Sequence, residues 1–232
     1  MKKAQIAVLA VYLMLTAAIL VFNSLCYGSR AVNYFKFAVV FSLLVTALVF
    51  KKRFREQGML TAVVLFMALG DFFLNFCSTI PWLAGDVKVF GVLGFFFAYL
   101  LLIIVFERGD QAGLEMVLFF IPVLVIALPA AIITFPFVDG EVLLGLLLFG
   151  AVLCYMTWSA ICTISRGYYS QAAARRFALA GYLILVSDIC IAVSTFNPSC
   201  TPPIALWLNN IVWGTFIPAW ALIVVNIAEE DL

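Results

Sequence analysis

The chain has 232 residues, 66% of them hydrophobic and only 11% charged, with a formal net charge of +1 and a mean hydropathy of +1.19. Soluble domains carry about a quarter charged residues, so the composition excludes a water-soluble domain and defines an integral membrane protein. A charge so near zero, with a basic run in just one short loop, excludes nucleic acid as a partner.

Eight apolar segments follow one another, at roughly 4–22, 31–50, 59–77, 87–106, 114–134, 141–164, 174–196 and 204–227. A helical span takes ~20 apolar residues, so the segments use up the chain and predict a single transmembrane domain over 1–232. The first opens with "MKKAQIAVLAVYLMLTAAILVF", basic at its start like a secretory signal. Its apolar run is too long for one and no small-x-small cleavage site follows, so it reads as a retained first helix. The second carries Lys36 about six residues in, with Arg30 at its start. The third, "MALGDFFLNFCSTIPW", holds Asp71 and, one turn on, Asn75. The fourth contains "FGVLGFFFAYLLLIIVF" with Tyr99. After the fifth comes "VLLGLLLFGAVLCYMTWSAI" in the sixth, apolar on every face rather than alternating, which predicts an all-α bundle and not a strand barrel. The seventh, "ILVSDICIAVSTFNP", holds Asp188 after Ser187, and the eighth holds Asn209 and Asn210. The breaks between segments are short and rich in charge or turn residues, so sequential helices pack antiparallel.

Lys2, Lys3, Lys51, Lys52, Arg53, Arg55, Arg108, Arg166, Arg175 and Arg176 fall at one set of loop ends, whereas only Arg30, Lys36 and Lys88 fall toward the other. The positive-inside rule then places both termini in the cytoplasm; the acidic tail "AEEDL" weighs little in it. The third and seventh segments run outward. Their aspartates lie almost half the chain apart, each about twelve residues into its segment and each followed by Ser-Thr. This predicts a four-plus-four pseudo-repeat with halves 1–110 and 111–232, of the same orientation because each holds an even number of helices. Met-Lys-Lys and the strong charge bias suit a bacterial inner membrane.

Lys36, Asn75, Asn209 and Asn210 reach the level of the aspartates, which predicts a polar site in the outer half of the bundle. A charge at the bilayer centre costs at least ~2.5–3.5 kcal/mol on insertion scales, so both carboxyl groups are expected to face one internal cavity. The structural alternative stays open: Lys36 pairs with an aspartate or snorkels, and the asparagines join helices.

"GDFFL", "FGVLGFFFAYLLLIIVF" and "ARRFALAGYLILVSDICIAVSTF" resemble the YhhN family of membrane proteins, which includes the lysoplasmalogenases. The resemblance covers nearly the whole chain. Its most specific parts are Gly70-Asp71 and Ser187-Asp188, with Lys36 in "NYFKF". It implies hydrolysis of the vinyl ether bond of a lysophospholipid, giving a fatty aldehyde and a glycerophospho-headgroup. The chain departs from the family where members carry a fourth-helix histidine: "FFFAYLLLI" has Tyr99 there and the protein contains no histidine.

Vinyl ethers are cleaved by acid, and two carboxyl groups held close cannot both ionise easily, which leaves a proton donor beside a carboxylate. Glycoside hydrolysis divides labour in the same way and needs no metal or cofactor. Asp71 and Asp188 are the candidate catalytic pair. Lys36 and Arg30 are candidates for the substrate phosphate, Tyr99 for a hydroxyl partner, and phenylalanines such as those of "GFFFAY" for the alkenyl chain. No phosphate-binding glycine loop, histidine-containing metal cluster or Gly-x-Ser-x-Gly elbow is present, so nucleotide hydrolysis, zinc chemistry and serine esterase activity have no support. The six cysteines include no Cys-x-x-Cys pair; Cys77 and Cys200 reach the outer end, where a bridge or two free thiols would both fit. A reading from another class stands beside the hydrolase: a non-catalytic lipid-binding or proton-coupled carrier protein using the same aspartates. Membrane lipids surround either one, and no residue pattern sets the oligomeric state.

Overall fold

The computed structural model describes residues 3–80, 87–109 and 113–229, without the side chains of Leu114 and Glu115. Lys2, the 81–86 part of one loop and the acidic residues 230 and 231 of the sidedness reading lie outside these residues. Eight helices are long and apolar enough to cross a membrane. They are α1 (Lys3–Leu25), α2 (Arg30–Val49), α3 (Arg55–Thr79), α4 (Lys88–Phe106), α5 (Met116–Phe137), α6 (Gly140–Arg166), α7 (Gln171–Phe196) and α8 (Pro202–Ile227). No strand occurs among the described residues. In hydrocarbon every backbone polar group must be satisfied within its own segment, and helices do this.

Local signals set the ends. Ser29 and Ser170 accept from the backbone N–H of Val32 and Ala173 at the starts of α2 and α7, each a side-chain N-cap. Gln57 Oε1 accepts from the N–H groups of Arg53 and Phe54 ahead of α3. Gly167 stops α6 with φ of 68°, the left-handed cap that glycine adopts without strain. The fifth segment, expected to be continuous over 114–134, breaks instead. A short helix over Leu114–Leu118 is followed by a turn, and the regular helix restarts at Ile121. Pro122 at its first turn has no N–H to continue the preceding helix.

α8 lies at the centre: 72% of its most apolar stretch is buried, against 11% for α5 at the periphery. Helices α1, α2, α3 and α7 pack around α8, while α4 joins α3 to α6, and α5 rests on α6 and α7. The α3–α4 crossing is close because glycines face each other. A Cβ on Gly94 would stand 2.8 Å from the Gly70 Cα, and one on Gly70 would stand 2.8 Å from the Phe95 ring. Small residues at a crossing let membrane helices approach, where dispersion rather than water exclusion holds them together.

The end carrying Gln5 and Glu229 is closed by an ionic clasp. Arg166 donates to the Phe106 carbonyl at 2.6 Å, to Ser159 at 2.9 Å and to Glu107 at 2.9 Å. Arg176 pairs with Asn226 at 2.6 Å and with Glu229, while Gln5 and Gln57 also reach Glu229. These partners come from α1, α3, α4, α6, α7, α8 and the chain after it, so the charges read as a sidedness signal also lock helix ends together. Tyr168 donates to Glu56 at 3.0 Å, and Tyr169 donates to the Val105 carbonyl at 2.5 Å. The bond to Glu56 holds the Tyr168 phenol above its ordinary range, and burial does the same for Tyr169.

Candidate functional site

Two polar clusters lie beyond the middle of the bundle, on the side away from the clasp. The first is built around Lys36 on α2, which is 3% exposed. Its ammonium donates to Asn23 Oδ1 at 2.8 Å and to Asn209 Oδ1 at 3.0 Å, and lies 4.8 Å from the Trp213 ring centre. Asn23 in turn donates to Asn210 at 2.6 Å. Asp71 is within electrostatic reach of Lys36, and Asn75 donates to its Oδ1 at 2.5 Å. The backbone widens there into a π-turn over Phe72–Phe76, closed by the Cys77 N–H on the Phe72 carbonyl. Such turns are frequent at functional positions. Asp71 is 1% exposed and its Oδ2 has no hydrogen-bond partner.

The second cluster is centred on Asp188 of α7. Tyr99 of α4, fully buried, donates its hydroxyl to Asp188 Oδ2 at 2.6 Å. Asp188 also lines a cavity of about 330 Å³ between α5, α6 and α7, whose other walls are almost wholly apolar. The Phe149 ring forms part of that wall and meets Tyr99 edge-on at 5.6 Å.

The two aspartates expected to share one cavity have different surroundings. Asp188 lines the α5–α6–α7 cavity and Asp71 does not. Their hydrogen-bond partners differ, and α3 and α7 both pack on α8, with α3 also on α4. An aromatic series spans the interval: Trp213, Phe216, Phe95 and Tyr99 follow one another at centroid separations of 5.6, 5.9 and 6.3 Å. The phosphate role expected of Lys36 also meets a different environment. Two asparagine oxygens and the Trp213 face occupy the ammonium, while Arg30 stands exposed at the helix start.

Of the remaining predicted residues, Asn209 and Asn210 join the Lys36 cluster, Asn75 joins Asp71, and Tyr99 joins Asp188. Ser187 is fully buried with its hydroxyl unpartnered, and it does not line the cavity. Sequence reasoning missed Asn23, because it falls just past the apolar run of the first segment. It also missed Thr134, a 2% exposed cavity residue whose hydroxyl has no partner. Cys77 and Cys200 are both free, and no metal-binding group of three or more His, Cys, Asp or Glu occurs among the described residues.

Eight apolar helices, one of them buried at the centre, with ionisable side chains held inside, define a polytopic α-helical membrane protein. Residues 31–227 match the YhhN family, and the chain belongs to it. Searches of the curated proteins and of the solved structures found no match to the chain.

Proposed function

We propose that this protein is a membrane hydrolase that cleaves the vinyl ether bond of lysoplasmalogens. The single observation that carries the reading is Asp188, held by the Tyr99 hydroxyl behind it, on the wall of an otherwise apolar cavity; family membership supports it. One carboxyl group suffices for the chemistry. Asp188 delivers its proton to the alkenyl carbon distal to the ether oxygen, and the electron pair of the double bond forms the new C–H bond. This leaves an oxocarbenium ion and the Asp188 carboxylate, which the Tyr99 hydroxyl stabilises by hydrogen bonding. Water adds to the oxocarbenium carbon while Asp188 takes back a proton, giving a hemiacetal. The hemiacetal collapses to a fatty aldehyde and a glycerophospho-alcohol. The same group acts first as acid and then as base, as in retaining glycosidases.

Asp71 has a supporting part in this reading, as the acidic neighbour of Lys36 in the packing of α1, α2, α3 and α8. The test is purified protein in detergent with lysoplasmalogen, measuring free aldehyde. Wild-type protein should release aldehyde, and Asp188→Asn should slow release by about 10² or more, the usual scale for a lost acid or base. Absence of aldehyde from wild-type protein overturns the reading.

A further inference from the structure

The α5–α6–α7 cavity has two features that the reaction above leaves unused. The first is its small-residue wall. Ala127, Ala130 and Ala131 of α5 face Gly150 and Ala151 of α6, and a Cβ added to Gly150 would meet nothing within 4 Å. Gly150 is therefore not needed for close helix packing, and its missing side chain leaves room. The second is Thr134. Thr16, Thr46, Thr61 and Thr215 each return their hydroxyl to a carbonyl one turn back. The Thr134 hydroxyl, buried at 2% exposure on the same cavity, has no partner. A buried hydroxyl without a partner is costly.

We infer that this cavity receives the hydrocarbon chain of a single-chain lipid, that Gly150 sets the bulk it admits, and that Thr134, turning its buried hydroxyl into the cavity, donates a hydrogen bond to the oxygen at the chain's head. The inference deepens the hydrolase reading and rests on it for the identity of the head group. A volume of about 330 Å³ falls at the lower end of the range for small-ligand sites. Its walls are apolar apart from Asp188 and Thr134, which suits a chain with one polar end. α5, the least enclosed helix, forms one side, so a lipid tail reaches the cavity laterally from the bilayer.

The test separates binding from turnover. A non-hydrolysable alkyl-ether lysophospholipid with a diazirine near the end of its chain is photolysed on the full-length protein in detergent, and the labelled peptides are mapped. Labelling is expected within 127–135, 146–154 and 185–192, the stretches that line the cavity, reduced at least tenfold by Gly150→Phe. Gly145→Phe, at another open glycine that does not line the cavity, should leave it unchanged. Thr134→Val should weaken binding about 5- to 10-fold while the melting temperature stays the same or rises, because no protein partner is lost. Labels elsewhere, or labelling indifferent to Gly150→Phe, would overturn the cavity assignment even if aldehyde is released. Labelling at these positions in a protein that releases no aldehyde would uphold the lipid site and sink the hydrolase reading alone. If Gly150→Phe fails to fold, the wild-type labelling map decides.

Discussion

The hydroxyl of Tyr99 on α4 donates to Asp188 of α7 across 2.6 Å, which makes it the described hydrogen-bond partner of the aspartate that lines the cavity. In Tyr99→Phe the ring stays, with its edge contact to Phe149, and only the hydrogen bond goes. A hydrogen bond to a charged group contributes about 1.5–3 kcal/mol. Turnover should therefore fall about 10- to 100-fold, with KM nearly unchanged because the bond matters most when Asp188 has given up its proton. Steady-state kinetics on wild type and variant check this; equal kcat values would remove Tyr99 from the chemistry.

Asp71 and Lys36 are expected to be energetically coupled. Asp71→Asn keeps the shape of the site but takes away the acidic neighbour of a buried ammonium, and should lower stability by about 1–3 kcal/mol. Lys36→Met in the same background should recover part of that loss, since the charge needing compensation is gone. Thermal unfolding of both single variants and the double variant gives the coupling directly. Simple additivity would show that the two side chains do not sense each other.

Glycine has opposite consequences at two positions. At Gly145 an added Cβ meets nothing, so Gly145→Ala should gain up to about 1 kcal/mol from helix propensity. At Gly94 the same methyl would strike the backbone of Gly70, and Gly94→Ala should lose about 1–3 kcal/mol by forcing α3 and α4 apart. Melting temperatures in detergent should move in opposite directions; a shared direction would contradict the close crossing.

At the clasp, burial raises the Tyr169 phenol above its ordinary value and the Glu56 bond raises that of Tyr168. A group whose folded value is raised contributes stability below its unfolded value, near pH 10, and loses it as the pH climbs toward the folded value. Wild-type stability should thus fall above about pH 10. Tyr169→Phe, already weakened by loss of its bond to Val105, should show a shallower alkaline decline. Parallel decline in both proteins would assign the effect to other groups.

The span of each helix was legible because hydrocarbon thickness imposes a length, and a run such as "VLLGLLLFG" has no other use. Asp71 and Asp188 were legible because each interrupts such a run. Their grouping was not. Position within a helix gives height in the bilayer, but nothing in one sequence gives azimuth around the bundle. Two aspartates at similar height thus looked like a pair, although α8 packs against both of the helices that carry them. Asn23 escaped for a related reason: an asparagine just past an apolar run reads as loop until a lysine on the next helix is seen to need its oxygen. Thr134 was invisible in principle, since its distinguishing property is the lack of a partner.

The central position of α8 also bears on biogenesis. Translation delivers helices in chain order, so α1, α2, α3 and α7 enter the bilayer before the helix around which they pack. During that interval Lys36 lacks Asn209 and the Trp213 face. A nascent chain stalled before α8 presents an under-coordinated lysine within the membrane, a polar defect that a membrane chaperone or protease can recognise, and arrival of α8 erases it.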